Sequence, residues 1–113
     1  MSSIFSKIIA RDVPATIVAE DDRVIAFEDI APKAPVHVLV VPKTEQYRNV
    51  TELAAGDPDL LAHVVATAQR IADERSDGQY RLVFNTGETV GQTVFHVHAH
   101  VLAGDLQEGT LAS

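Results

Sequence analysis

The chain has 113 residues and no cysteine, its net charge is −7, and 46% of its residues are hydrophobic. This length fits one domain with its own core, and without cysteine the chain forms neither disulfides nor thiolate metal sites. The acidic balance argues against DNA or RNA partners, which basic surfaces bind.

The N-terminal part predicts a short helix followed by a β-hairpin. Ser3 suits the N-cap of a helix whose apolar residues recur at helical spacing through Ile9. Strand-like runs at 16–19 and 24–27 flank a charged turn and predict the hairpin. The N-terminus lacks the order of a signal peptide, and no apolar run approaches the roughly 20 residues of a membrane helix. We therefore expect a cytoplasmic location and no membrane partner.

The middle of the chain predicts a central strand and the main helix. Residues 37–41 are so apolar that we expect them to be buried on both faces of a sheet. Asp57 and Pro58 suit the N-cap and first position of a helix. The helix buries an arc about 140° wide, made of residues 60, 61, 64, 65, 68, 71 and 72. His63 lies outside this arc, and we expect it to be solvated.

The C-terminal part predicts two more strands, at 80–84 and 93–102, joined by a loop with two glycines. A loop this short joins antiparallel neighbours. The whole pattern predicts an α+β domain. It has a five-stranded antiparallel sheet, with one long and one short helix on one face.

Three of the five histidines alternate with apolar residues near the C-terminus, at His96, His98 and His100. In a strand these side chains share one face, about 6.5–7 Å apart from one to the next. Imidazoles that titrate near neutrality on a rigid element indicate a site. The plain alternative is a polar strand face, but Lys, Glu or Thr fill such a face more readily.

Two chemistries fit this row. Neutral imidazoles bind zinc, although only Asp105 and Glu108 follow as further ligands, with no forced geometry. Alternatively, His98 attacks phosphorus while a flanking imidazole donates to the phosphate and the leaving group. His37, at the start of the central strand, would fix the tautomer of one triad imidazole. The loop before the histidines would bind the anion through Asn85, Gly87, Gly91, Gln92 and Thr93.

Residues 96–102 fit the pattern His-φ-His-φ-His-φ-φ, where φ is apolar, and further blocks at 4–9, 20–30, 34–43 and 91–95 accompany it in order. With these blocks the chain resembles the histidine triad (HIT) family, in its Hint-like branch of nucleotide-binding proteins. The resemblance implies a HIT domain at 1–104 and a divergent tail at 105–113. It also implies a homodimer whose two sheets join into one.

The resemblance further implies an activity, the hydrolysis of adenosine (purine nucleoside) phosphoramidates or related nucleoside monophosphate derivatives. It implies a nucleotidyl-histidine intermediate and no cofactor. His98 would be the nucleophile and His100 would contact the phosphate, with His96 and His37 in support. The nucleotide would be held at the phosphate by Asn85, Gly91, Gln92 and Thr93, at the ribose by Asp29, and at the base by Ile4, Phe5, Ile8, Phe27 and Ile30. A Fhit-like dinucleoside polyphosphate hydrolase and a nucleotide-binding regulatory module with weak turnover remain alternatives.

The chain departs from this family at two places. Many bacterial relatives bind zinc through Cys-x-x-Cys and a later histidine, whereas this chain has Ser3, Ser6 and Glu45 there. We therefore expect no metal. Relatives also end in Gly-Gly-Arg and Trp-Pro-Pro segments, whereas this tail carries Asp105 and Glu108. Charge alone then favours a cationic leaving group such as a lysine-like amine.

Overall fold

A computed structural model describes residues 3–108. In chain order the elements are α1 (Ile4–Ile9), β1 (Ile17–Glu20), β2 (Val24–Glu28), β3 (Val36–Pro42), α2 (Val50–Gly56), α3 (Pro58–Arg75), β4 (Arg81–Val83) and β5 (Ala99–Ala103), with a 3₁₀ turn at Glu88–Val90. All neighbouring strands pair antiparallel, in the order β1-β2-β3-β5-β4. This confirms the predicted α+β class and the five-stranded sheet. The last five residues of the predicted tail lie outside the described part.

Helices cover both faces of the sheet, so the prediction that they share one face is wrong. Alternate residues of β3 point to opposite faces, and both sets are apolar. Val38 packs with Val64 of α3 in one core, whereas Leu39 packs with Phe5 of α1 in a second core. A strand that is apolar on both faces needs cover on both. Helix α1 therefore occupies the face that α3 leaves open, and this is the face that carries the site.

Helix α3 begins as predicted, because the Asp57 side chain accepts from the Leu60 N–H at 3.1 Å and Pro58 is the first helical residue. Its buried arc differs at three positions, one of which is Leu61, which is only half-buried against the core. Val65 is exposed, whereas Thr67 is buried because its hydroxyl donates to the carbonyl four residues earlier at 2.8 Å. No helix within residues 3–108 is long and apolar enough to cross a membrane.

His63 is paired, not merely solvated. Its Nε2 lies 2.6 Å from Oδ2 of Asp21 in the β1–β2 turn. The Arg23 and Val24 backbone N–H groups also donate to Asp21. These hydrogen bonds outweigh burial, which alone would raise the pKa of Asp21, and they lower it to about 2. The contact therefore ties α3 to the hairpin.

Helix α2 was not predicted from the sequence. Asn49 caps it by accepting from the Glu52 N–H at 3.0 Å, and Glu52 in turn accepts from the Arg48 N–H at 2.9 Å. An Asn cap with an acidic residue three positions after it resembles a capping box and was the local signal for a helix start. The helix has 7 residues, which is too short for apolar periodicity to stand out.

Strand β5 begins later than predicted, so the expected row of three histidines is wrong. Pairing with β3 and β4 starts at Ala99 and His100. Before that point the chain leaves the ladder, and the Val97 N–H donates to the Tyr47 carbonyl at 3.0 Å. His96 therefore lies outside the strand. Only His98 and His100 remain adjacent, with ring centroids 5.1 Å apart.

Candidate active site

The backbone fixes the tautomer of His98, which lies directly before β5. Its Nδ1 is 2.8 Å from the His96 carbonyl oxygen. Because a carbonyl only accepts, Nδ1 carries the proton and Nε2 keeps a lone pair. Burial lowers the pKa of His98, so the ring is neutral near pH 7. The Phe5 ring holds it edge-on at a centroid distance of 4.8 Å. His98 is thus a neutral imidazole in a fixed orientation, with the lone pair of Nε2 not used by the backbone contact.

A second backbone group fixes His37 and, through it, His100. The Lys33 N–H donates to His37 Nδ1 at 3.0 Å, so the His37 proton is on Nε2. That atom lies 2.9 Å from His100 Nδ1, which must accept. His100 therefore carries its own proton on Nε2. Burial, together with the neighbouring rings of His98 and His37, lowers the pKa of His100 to about 4. The result is a neutral imidazole with an N–H to donate.

Asp29 completes this group at the start of the β2–β3 connection, directly after β2. Its Oδ1 accepts from the Ala31 N–H at 2.8 Å, and its Oδ2 lies 3.4 Å from His37 Nε2. Among residues 3–108, Asp29, His37 and His100 are the one set of three side chains whose ligand atoms converge closely enough to hold a metal ion. A cation there would have to displace the His37 proton and break its bond to His100. The geometry favours a hydrogen-bonded acid–base group.

Two cavities meet at this group, and Asp29 and His100 line both. The apolar cavity has a volume of about 430 Å³, lies under α1 and also contacts His98. All five residues predicted to enclose a base line it, namely Ile4, Phe5, Ile8, Phe27 and Ile30. The polar cavity has a volume of about 350 Å³ and is lined on its other sides by Lys33, His37, Arg81, Asn85 and Gly91. The site is therefore divided into two compartments at His100.

The residues predicted to bind phosphate separate into two groups. Thr93 lines the apolar cavity, and Asn85 lines the polar one. The buried Gln92 side chain instead accepts from the Gly87 N–H at 2.9 Å and donates to two backbone carbonyls at 2.7 and 3.0 Å. These bonds occupy its amide and give no support to the predicted nucleotide contact of Gln92, which stays a prediction. The residue braces the loop.

The glycines of this loop do not offer a free amide cradle, contrary to the prediction. The Gly91 N–H donates to the Glu88 carbonyl at 3.1 Å, and the Gly87 N–H is bonded to Gln92. Gly91 has φ +99°, and no atom lies within 4 Å of the position that a Cβ would take. It therefore supplies a turn that other residues rarely adopt.

His96 is buried and lines neither cavity. Its Nε2 donates to the Pro42 carbonyl at 2.7 Å, so its Nδ1 accepts from the Ser3 hydroxyl at 3.2 Å. The Ser6 hydroxyl lies beside the same nitrogen and donates to Glu45. The residues that stand at the zinc positions of relatives thus form a hydrogen-bonded cluster. It ties the N-terminus of α1 to the end of β3.

Several cavity residues were missed by the sequence reasoning. Leu39 lines the apolar cavity, and strand alternation from His37 would have found it. Lys33, Arg81 and Val83 line the polar cavity, but they come from a connector and an edge strand far apart in sequence. No spacing rule links such segments, so only the folded arrangement brings them to the site.

Comparison with known proteins places this chain in one class, the HIT hydrolases. The HIT domain profile matches residues 10–107. A solved structure of a HIT family hydrolase from Clostridium thermocellum superimposes with a TM-score of 0.87 at 43% identity, over 94% of each chain.

Sequence relatives agree. An uncharacterized HIT-like protein of Synechocystis is 49% identical over 106 residues, covering 90% of each chain. The purine nucleoside phosphoramidase of Escherichia coli is 40% identical over 104 residues, covering 90% of this chain and 87% of that protein. The chain belongs to the HIT domain family and is a hydrolase of that family.

Proposed function

We propose that this hydrolase cleaves the P–N bond of purine nucleoside phosphoramidates. The observation that carries the proposal is the pair of fixed tautomers, a lone pair on His98 Nε2 beside an N–H on His100 Nε2. A nucleophile and a hydrogen-bond donor at one phosphorus are the two groups that such a transfer needs. The similarity to the E. coli phosphoramidase points to the same substrate class.

The chemistry runs in two balanced steps. His98 Nε2 attacks phosphorus as the P–N bond to the leaving amine breaks, and a nucleotidyl-histidine forms. The leaving nitrogen takes up one proton from solvent and departs as the amine. Water then attacks phosphorus, which frees His98 and the nucleoside monophosphate and releases one proton. In both steps the His100 N–H stabilises the charge that develops at the phosphoryl group.

The apolar cavity suits the purine base. Two of its residues are large apolar side chains left to solvent, Ile4 at 44% exposure and Ile30 at 96%. A base stacked between them and Phe27 would remove this apolar surface from water. Asp29 is placed where the two cavities meet and carries acceptor oxygens for the ribose hydroxyls. Adenosine monophosphate would thus occupy the site from α1 to His100.

A Fhit-like dinucleoside polyphosphate hydrolase is the second candidate. Lys33 and Arg81 line the polar cavity, and such cations would hold the additional phosphates of that substrate. A regulatory module that binds nucleotide with weak turnover would use the same apolar cavity.

A substrate panel tests these readings. We expect multiple turnover of an adenosine phosphoramidate, with adenosine monophosphate and amine released in equal amounts, and slower cleavage of diadenosine polyphosphates. His63→Asn is a matched control, because His63 lies outside the site, and it should retain full turnover. Tight binding of adenosine monophosphate without turnover of either substrate would contradict the proposal and favour the regulatory module.

A further inference from the structure

The two cavities meet at Asp29 and His100, so a phosphorus atom attacked by His98 would lie at their junction. His98 lines only the apolar cavity, whereas His100 lines both. In phosphoryl transfer the nucleophile and the leaving group lie roughly in line on opposite sides of phosphorus. With His98 on the side of the apolar cavity, the leaving group points past His100 into the polar cavity. The second compartment is therefore the place where the leaving group lies.

The polar cavity concentrates positive charge in an acidic protein. Lys33 and Arg81 line it, against one carboxylate, Asp29. That carboxylate is already bonded to the Ala31 N–H and faces His37. Burial is the main cause of the lowered pKa of His37, and the positive charge of Lys33 lowers it further. Two cations in a chain of net charge −7 mark this compartment for a negative group.

Neither carboxylate in the described part of the tail, Asp105 or Glu108, lines the polar cavity. Asp105 lines a neighbouring cavity on the other side of Arg81, and Arg81 Nη2 donates to the Gln107 carbonyl at 2.8 Å. The cationic leaving group expected from tail charge is thus not favoured by the placement of these residues.

Lys33 is exposed and contributes its backbone N–H, not its ammonium, to the bond with His37. Changing its side chain therefore leaves that bond in place.

We propose that the polar cavity is the leaving-group subsite and that Lys33 selects amines carrying an anionic group such as a carboxylate. This inference rests on the proposed P–N hydrolase activity. A phosphate in the leaving group would bind the same cations as a carboxylate. The substrates of the test therefore include both kinds of anion, so that the two can be distinguished.

The test compares adenosine phosphoramidates of three amines matched in length: β-alanine, β-alanine amide and ethylenediamine. We expect kcat/KM to fall in that order, by about two- to fivefold per step, the size typical of one exposed ion pair. Lys33→Met should bring the carboxylate-to-amide ratio toward one. Lys7→Met is the matched control, because this exposed lysine of α1 lines neither cavity, and it should keep the wild-type ratio. High salt should also reduce the ratio.

The outcomes separate the inference from the activity beneath it. If the amide is hydrolysed but the ratio is one, or the cationic amine is preferred, the inference fails and the P–N activity stands. A ratio that survives Lys33→Met overturns the role of Lys33. If no phosphoramidate is hydrolysed, both fail. If diadenosine polyphosphate is cleaved faster than the phosphoramidates and Lys33→Met abolishes this advantage, the cavity binds phosphate. That result would overturn the proposed selection of anionic amines.

Discussion

At the scale of single residues, two backbone groups decide the chemistry of the site. The His96 carbonyl fixes the proton of His98 on Nδ1, and the Lys33 N–H fixes that of His37 on Nε2. Neither group belongs to a side chain that a sequence motif would show. They give two similar rings opposite tautomers, with a lone pair on Nε2 of His98 and an N–H on Nε2 of His100.

The lowered pKa of His98 makes a prediction about pH. Burial keeps its pKa below the ordinary 6.5, so the neutral nucleophile persists as the pH falls through that value and is lost only at lower pH. We expect the acidic limb of the kcat/KM profile, which reports the free enzyme, to lie below pH 6.5. The profile should be measured with a phosphoramidate whose own groups do not titrate in this range. An apparent pKa at or above 6.5 would show that His98 is not held neutral by burial.

At the scale of elements, α1 and the β3–β5 pairing create the site together. Leu39 pairs with His100 in the register, which places His37 and His100 on one face of the sheet. Helix α1 has only 6 residues and would be marginal alone. Its Ser3 cap, its bond to His96 and its packing against β3 hold it in place. The helix then supplies one wall of the apolar cavity.

The two sheet edges differ in their regularity. Strand β1 has a register shift between Ile17 and Ala19, and such a bulge twists an edge away from new partners. Strand β4 is a short regular edge, paired on its inner side by β5. We therefore propose that the homodimer implied by the resemblance joins two β4 edges, which would bring the partner to the border of the polar cavity.

This arrangement predicts a mass in solution of twice 12.2 kDa by light scattering. It also predicts that amide exchange in residues 81–83 slows as protein concentration rises, while exchange in 17–20, the matched edge, does not change. A mass of one chain at every concentration, or concentration-dependent protection at 17–20 instead, would contradict the β4 interface.

At the scale of the whole molecule, much of the fold could be predicted from local patterns. The Asp57 cap marked α3, and the apolar run of β3 marked the centre of the sheet. The sequence was a poorer guide where tertiary contacts override local pattern. Gln92 was predicted to bind nucleotide from its place in a glycine loop, but its bonds to three backbone partners give that contact no support. His96 fits the alternation of a strand, yet its bonds to Pro42 and Ser3 place it elsewhere.

The division of the site also emerges only at this scale. Lys33 and Arg81 meet at one cavity because the connector before β3 and the edge strand β4 flank β5. Because no sequence pattern links these two residues, the prediction of a cationic leaving group rested on the acidic tail alone. The packed chain instead places Lys33 and Arg81 around a cavity that His100 also lines.

The central claim is that His98 becomes covalently linked to the nucleotide, and trapping that adduct tests it most directly. The enzyme would be mixed with an adenosine phosphoramidate, denatured at alkaline pH within one turnover, and its intact mass and peptide map determined. The account predicts one adenylyl group per chain, located on His98 and absent in His98→Asn, which should still bind adenosine monophosphate. An adduct on another residue, or a normal single-turnover rate in His98→Asn, would contradict it.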